Sequence, residues 1–335
     1  MLYPFRFQPL FRRYLWGGRR LQTDLNKPIG AGDDYAESWE IVDHGADQSI
    51  VSNGSRAGQS LHDLVDELGP RLLGAIWDER IHDKSVPLSL RGRFPLLLKF
   101  LDARLPLSVQ VHPDDEMGTR LSPADLGKSE AWFVMATGPQ SRIYAGLNPD
   151  VDRQRLADAI NDGSIESTLH SFAPRAGDCV FIPAGTVHAI GGELLICEIQ
   201  QASDTTFRLY DWNRVDASGK ARPLHVSQAL EAINFQRGPI EPIRWRVAIK
   251  GLSEPLVTCD KFYLNRIVLD EPMRRGGDGR MRILVVVKGS LQLEYEQGNE
   301  SLELGQCVLL PADGAAFTLN PKNQAALFEI RLPDE

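Results

Sequence analysis

The 335-residue sequence has few cysteines, few lysines and no long hydrophobic run. No stretch approaches the roughly 18 apolar residues that a membrane-spanning helix needs, so we expect no membrane span. The N-terminal segment lacks the apolar core of a signal peptide. The four cysteines have no CxxC spacing, which argues against a zinc ribbon and against a disulfide framework. These absences predict a reduced, cytoplasmic protein.

Positive charge is also scarce. The chain has 37 basic and 45 acidic residues, a formal net charge of −8, and it contains no basic tract, so we do not expect nucleic-acid binding. Only nine of the basic residues are lysines. A net negative charge repels an anionic substrate at long range, so a phosphorylated substrate would need local cations. Each lysine near a candidate site is therefore informative.

Short apolar runs bounded by turn residues recur along the chain and predict β-strands. They are Pro95–Leu101, Ala131–Met135, Cys179–Ile182, Leu194–Ile199, Arg282–Val287, Cys307–Leu310 and Ala326–Ile330. Helical spacing is limited to three segments, which are Leu61–Ile76 after Ser60, Val151–Ile160 after Asp150, and Val226–Ile233. We therefore predict a mainly β fold, a barrel or a sandwich, with a few short helices.

One segment of the chain is repeated. Residues 177–184 match residues 305–312 at a constant offset of 128, which indicates two copies of one β unit. Beyond the match, the first copy carries His188 where the second carries Ala316, so we expect the chemistry in the first copy. Turn and breaker residues near 236–245 predict a catalytic domain over 1–238 and a second domain over 239–335.

Several polar residues at apolar strands could bind a metal ion. On a strand, Ser108, Gln110 and His112 would share a face. The candidate ligands are Gln110, His112, Glu130 and His188. Their amide, carboxylate and imidazoles suit Zn²⁺, with Mn²⁺ or Fe²⁺ as alternatives. Each also has an ordinary explanation: a solvent-facing edge around 108–112, a surface ion pair of Lys128 with Glu130, and a structural His188.

Three further polar residues interrupt apolar segments. Glu198 lies inside the run from Leu194, Arg208 alternates with apolar residues after Thr205, and Lys99 interrupts the run from Pro95. A buried acid needs a compensating partner. The alternative to a functional role is a structural Glu198–Arg208 pair, and for Lys99 an extended side chain that reaches solvent at a strand end.

Together these motifs resemble type I phosphomannose isomerases of the shorter bacterial kind over nearly the whole chain. The motifs are WGG at 16–18, ESWE at 37–40, FPLLLKFLDA at 94–103, LSVQVHPDD at 107–115, GKSEAW at 127–132, PAGTVHAI at 183–190 and EIQQASDTTFRLYD at 198–211. Their order and combination are specific, whereas the C-terminal third matches less specifically.

The resemblance implies two cupin-like (jelly-roll) β barrels, the second without metal ligands. It implies one zinc ion per chain, and an isomerase that interconverts mannose 6-phosphate and fructose 6-phosphate through an enediol(ate). The implied metal ligands are Gln110, His112, Glu130 and His188. The implied catalytic residues are Arg208, Glu198 and Lys128. Lys99 and Ser108 match positions at the phosphate end of the substrate. Glu198, Lys128 and a metal-bound water all stay open as the group that moves the proton.

We also expect a sugar-phosphate substrate and a monomer or homodimer. Two alternative functions stay open: a metal cupin oxygenase and a non-catalytic sugar-phosphate-binding cupin. Gln110 in place of a third imidazole speaks against the oxygenase. The complete set of ligands, acid and arginine in one segment speaks against the non-catalytic protein.

Overall fold

The computed structural model describes residues 2–215, 218–244 and 251–333. The chain divides into two compact units, which we name by their position in the sequence. The central unit comprises Phe11–Trp39 and Leu96–Arg244, and the terminal unit comprises the described residues of Met1–Leu10, Glu40–Pro95 and Trp245–Glu335. These units are discontinuous in the sequence, and the linear division at residue 238 stays a prediction.

Strands dominate the described part of the chain. They are β1 Phe7–Gln8, β2 Leu10–Gly18, β3 Tyr35–Ile41, β4 Asp43–His44, β5 Asp47–Gln48, β6 Ile50–Val51, β7 Leu96–Ala103, β8 Val109–Val111, β9 Glu130–Thr137, β10 Ile143–Leu147, β11 Leu169–Phe172, β12 Cys179–Ile182, β13 His188–Ile190, β14 Leu194–Gln201, β15 Phe207–Tyr210, β16 Ser253–Thr258, β17 Tyr263–Leu269, β18 Met273–Arg275, β19 Arg282–Lys288, β20 Ser290–Tyr295, β21 Gly298–Glu303, β22 Cys307–Leu310, β23 Phe317–Pro321 and β24 Ala325–Arg331. Each apolar run predicted as a strand lies in or overlaps one of them.

The helices are few and short. They are α1 Arg20–Thr23, α2 Leu61–Leu68, α3 Pro70–Leu73, α4 Ile76–His82, α5 Asp115–Thr119, α6 Arg153–Asp162 and α7 Val226–Ala232, with 3₁₀ turns at Gly54–Arg56 and Ile165–Thr168. None of the helices in the described residues is long and apolar enough to cross a membrane.

Two sheets build the central unit. One has the strand order β12-β9-β14-β7-β3-β2 and the other has the order β11-β10-β13-β8-β15. Apolar side chains from both sheets form one buried cluster, to which Trp16, Leu101, Trp132, Ile143 and Ile196 contribute. Side chains alternate along a strand, so the side chains of the second sheet that point away from this cluster pack against other elements. There Val109 and Val111 join a second cluster, which includes apolar residues of α6 and α7.

Two sheets also build most of the terminal unit, with the orders β16-β17-β24-β19-β22 and β18-β23-β20-β21. Their facing apolar side chains form a buried cluster around Ile267, Leu284, Leu293, Phe317 and Leu327. The short pairs β1-β6 and β4-β5 complete the strands described here.

The strand orders of the two units correspond. From β12 inward, the order β12-β9-β14-β7-β3 matches β22-β19-β24-β17-β16, and β11-β10-β13-β8 matches β21-β20-β23-β18. The repeated sequence motif lies on the edge strands β12 and β22 of this match. The predicted mainly β fold with two barrel-like halves and few helices is therefore confirmed, and its halves have the topology that a duplication produces.

The predicted helices differ in detail. Ser60 caps α2 with a capping box that includes Asp63, but the apolar spacing that continues to Ile76 spans three short helices instead of one. Gly69 has φ +47°, a conformation that L-residues rarely adopt, so the helix ends there. The helix predicted after Asp150 is capped by Asp152. All four cysteines are free thiols.

Candidate active site

Neighbouring strands bring the four predicted metal ligands together. His188 begins β13 and pairs directly with Gln110 on β8, and the Gln110 Nε2 atom is 3.2 Å from His188 Nε2. His112 follows β8, and Glu130 begins β9. Ligand atoms of His112, Glu130 and His188 lie within 4.8 Å of one another, and each residue is at most 1% exposed. The solvent-facing edge expected as an alternative for 108–112 is wrong, because Ser108 and His112 are buried.

Both imidazoles are held in the same orientation. The Nδ1 atoms of His112 and His188 lie 2.9 Å from the backbone carbonyl oxygens of Thr205 and Thr186, so each Nδ1 carries the proton and donates it. The Nε2 atoms face Glu130, at 3.5 Å from Oε2 and 3.3 Å from Oε1. A carbonyl partner at one nitrogen fixes the tautomer in which the other nitrogen can bind a metal ion.

The protonation states of this cluster also suit a metal ion. Burial, together with the Lys128 charge, lowers the pKa of His112 to about 3, and burial lowers the pKa of His188. Burial by itself would raise the pKa of Glu130, but Lys128 and the imidazoles outweigh it and hold that pKa well below its usual range. The cluster therefore presents two neutral imidazoles and one carboxylate, the forms that bind metals.

Lys128 lies against this cluster. Its Nζ atom forms a short ion pair with Glu130 and is 2.9 Å from His112 Nε2 and 3.9 Å from Glu198 Oε1. The surface ion pair expected as an alternative is wrong, because Lys128 is 4% exposed and Glu130 is 1% exposed. Lys128 is therefore a cation that offsets the charge of the buried Glu130 carboxylate.

Lys99 is buried against two acids. It pairs across strands with Glu198, and its Nζ atom lies 3.2 Å from Glu198 and 3.7 Å from Glu37. Burial by itself would lower the pKa of Lys99, but these carboxylates raise it. Burial raises the pKa of Glu198 to about 7. Lys99 is 7% exposed, so the expected extension to solvent is wrong.

Arg208 enters from the neighbouring strand β15, opposite Gln110. Its Nη1 atom donates to the carbonyl of Pro223 at 2.9 Å, and its Nε atom has no hydrogen-bond partner among the described residues. Burial and the nearby Arg222 lower the pKa of Arg208. Across the described ranges no ion pair joins Arg208 to Glu198; the structural pair considered above is therefore wrong, and Lys99 is the ionic partner of Glu198.

These side chains surround one cavity of about 290 Å³. Seven of the nine predicted site residues line it: Lys99, Ser108, Gln110, Lys128, Glu130, Glu198 and Arg208. His112 and His188 are connected to this lining by their contacts with Gln110 and Glu130. The Ser108 hydroxyl donates to Gln110 Oε1 at 3.2 Å.

Three charged residues of the cavity were not predicted: Glu37, Asp204 and Arg222. Glu37 lies in the buried strand β3, whose sequence YAESWEI mixes polar and apolar residues, so this acid does not stand out from its neighbours as Glu198 does. Arg222 lies outside the strands and is oriented by Asp211, whose Oδ2 atom is 2.8 Å from Arg222 Nε, so only the tertiary structure identifies it. With these residues, four cations and four carboxylates line the cavity.

Comparisons with known proteins identify the family to which the chain is similar. A family model for the catalytic domain of type I phosphomannose isomerase matches residues 4–131. The chain is 36% identical to the mannose-6-phosphate isomerase ManA of Bacillus subtilis, over 94% of this chain and 95% of that protein. It is 32% identical to the mannose-6-phosphate isomerase of Streptococcus mutans, over 78% of each chain. The crystal structure of a mannose 6-phosphate isomerase from Bacillus subtilis matches with a TM-score of 0.84 at 28% identity, covering 98% of this chain and 99% of that one. This match also confirms the predicted cupin fold.

Proposed function

The chain belongs to the type I phosphomannose isomerase family, and from this premise we propose how its cavity interconverts mannose 6-phosphate and fructose 6-phosphate. The observation that carries the proposal is the convergence of two neutral imidazoles and a carboxylate beside a second buried carboxylate and an arginine. Isomerisation moves a proton between carbons 1 and 2 through an enediol(ate). The site must therefore stabilise negative charge on oxygen and supply a base.

Isomerases of this family depend on a metal ion. We assign the ligands to Gln110, His112, Glu130 and His188, because the Nε2 atoms of both histidines face the Glu130 carboxylate and the Gln110 amide lies against His188. This mixed nitrogen and oxygen set fits Zn²⁺, and Mn²⁺ and Fe²⁺ are the alternatives. When bound, the metal ion would polarise the sugar carbonyl and the neighbouring hydroxyl.

We assign the base to Glu198. A base is most effective when its pKa lies near the working pH, and burial raises the pKa of Glu198 to about 7. Its Oε1 atom accepts no hydrogen bond within the described residues, although the Lys99 cation is close. The ammonium of Lys128 is occupied by Glu130 and His112, so it suits a donor to sugar oxygens better than a base. Glu198 would remove the proton from carbon 2 of mannose 6-phosphate and return it to carbon 1.

The cations of the cavity would bind and stabilise the substrate. The guanidinium of Arg208 would donate to the oxygen on which charge develops. Lys99 and Ser108 would contact the phosphate by charge and hydroxyl donation. The four cations and four carboxylates of the lining balance, so a divalent metal ion would give the cavity a net charge of about +2, which matches a phosphate dianion.

A coupled assay on mannose 6-phosphate tests this function. We expect turnover in the metal-loaded protein, its loss after chelation and its return with added metal. Full activity of chelated protein would contradict the metal role, and binding without turnover would favour the non-catalytic alternative. Oxygen consumption with the same substrate would favour the oxygenase.

We also keep two broader predictions. A cytoplasmic location agrees with the four free thiols. The chain is expected to act as a monomer or homodimer, which size-exclusion chromatography with light scattering would test.

A further inference from the structure

The terminal unit contains a second large cavity, of about 740 Å³. Strands β16, β17, β18, β19 and β24 all contribute residues to it. These strands include the counterparts of β3, β7, β8, β9 and β14 of the central unit. The cavity therefore occupies the position in the terminal unit that the candidate active site occupies in the central unit.

The strand registers give the correspondence residue by residue. Glu130 pairs with Ile182 of the repeated motif, and Arg282 pairs with the matching Leu310. The pairing registers of the neighbouring strands extend this correspondence. In the terminal unit, Arg282 corresponds to Glu130, Glu329 to Glu198, Asn265 to Lys99 and Ala316 to His188. Two of the four metal ligands are thus replaced by an arginine and an alanine, so this cavity is not a second copy of the metal site.

A buried acid organises the arginines of this cavity. Glu329 is 1% exposed, and its carboxylate makes a two-point contact with Arg275, at 3.0 and 3.3 Å. It also lies 3.4 Å from Arg282 and 3.7 Å from Arg331. One carboxylate cannot neutralise three guanidiniums. Asp278 pairs with Arg282, and a positive surplus still remains.

The lining of the cavity is strongly cationic. Five arginines line it, against the two carboxylates of Asp278 and Glu329, so it carries a surplus of about three positive charges in a chain of net charge −8. The arginines are Arg274, Arg275, Arg280, Arg282 and Arg331. Ser253 Oγ and Arg331 Nε are buried atoms with no hydrogen-bond partner in the part of the chain that the structure describes. Like charges gathered in a concave site favour an anion, whose oxygens would also accept from these donors.

We propose that this cavity binds a small phosphate ester with at least two negative charges. Guanidiniums match phosphate oxygens by their fork of donors, and the hydroxyl of Tyr263 and the amide of Asn265 are placed to contact the hydroxyl groups of such a molecule. The proposal does not depend on the isomerase reaction, because none of its residues belongs to the candidate active site.

Isothermal titration calorimetry on the full metal-loaded chain tests the proposal, with fructose 1,6-bisphosphate as the probe and fructose as the neutral control. The test variant is Arg274→Gln/Arg331→Gln. Arg274 is exposed and has no ion pair among the described residues, and Arg331 makes the longest of the three contacts with Glu329. Lys322→Gln removes a charge of the same unit outside the cavity, and Arg208→Ala weakens the candidate active site instead.

We expect the double variant to weaken one binding event at least tenfold and to retain turnover of mannose 6-phosphate. Lys322→Gln should leave the affinity of that binding event unchanged. Arg208→Ala should also leave that event unchanged. Loss of all bisphosphate binding in Arg208→Ala alone would overturn the proposal, because the probe would then bind only in the other cavity. An equal effect of Lys322→Gln would also overturn it. If the double variant does not fold, Arg274→Gln alone must weaken binding about threefold or more.

Discussion

The buried cation Lys99 offers a stringent test of the site electrostatics. Its Nζ atom lies 3.2 Å from Glu198 and 3.7 Å from Glu37, and both carboxylates are buried. Lys99→Gln removes the charge and keeps a polar side chain. Removal of one partner from a buried ion pair costs about 3–5 kcal/mol, because the remaining charge has neither water nor a counter-ion. Lys128 still lies 3.9 Å from Glu198, so we expect the free energy of unfolding to fall by an amount near the lower end of this range, about 3 kcal/mol.

Urea denaturation measures this loss as the free energy of unfolding. Lys322→Gln is the matched control, because Lys322 forms an exposed pair with Glu303 at 2.9 Å, and such pairs contribute less than about 1 kcal/mol. The variant Lys99→Gln/Glu37→Gln should recover part of the loss, because one of the two unpaired carboxylates is then gone. An activity assay of Lys99→Gln should also give a higher KM for mannose 6-phosphate.

The loss should depend on pH with a defined sign. Burial raises the pKa of Glu198 to about 7 even with Lys99 present, and removal of the cation raises it further. A carboxyl group whose pKa is raised by folding binds more protons in the folded state, so stability increases as the pH falls towards its unfolded pKa. Glu198 is then protonated in the variant at pH values at which it is ionised in the wild type, so the deficit of Lys99→Gln should shrink as the pH falls from about 9 to about 7. A loss below about 1 kcal/mol, or a deficit that is constant over this range, would refute the reasoning.

Three further predictions concern the candidate active site. Arg208→Ala should lower kcat at least 100-fold, because a donor to the developing charge is lost. Metal content and melting temperature should stay unchanged as the control, and near-normal turnover would exclude Arg208 as this donor. His188→Ala should bind the metal more than tenfold more weakly by elemental analysis after dialysis, whereas His225→Ala, outside the cluster, should retain it; equal metal contents would remove His188 from the ligand set. In the wild-type protein, kcat/KM should fall about tenfold per pH unit below about pH 7 as Glu198 is protonated. Glu198→Gln should lower kcat/KM at least 100-fold at neutral pH, and activity near that of the wild type would assign the base to another group.

Local patterns accounted for most of the secondary structure. The runs Cys179–Ile182 and Cys307–Leu310 are strands with the predicted bounds, because turn residues on both sides limit each run. Ser60 caps a helix at the point where the apolar helical spacing begins. The continuation of that helix to Ile76 was wrong, because Gly69 adopts a positive φ that ends it.

The types of residue at the site and the strands that carry them were predictable from the amino-acid sequence. Gln110, His112, Glu130 and His188 are polar residues at the strands of an apolar sheet, and that conflict is visible without coordinates. Spacing within a strand also indicates which side chains share a face, since the period of a strand is two residues.

The pairs of charges that face one another depend on how the strands pair and were not predictable from local sequence. Lys99, not Arg208, is the partner of Glu198, because β7 and β14 pair in a register that puts the two residues opposite each other. Arg222 reaches the cavity from outside the strands, held by Asp211. Glu329 on β24 contacts Arg275 on β18 and Arg282 on β19, two strands that lie far from it in the chain. The strength of an ion pair depends on the distance between its charges in space. Strand register and chain packing set that distance, and the local spacing of residues does not encode them.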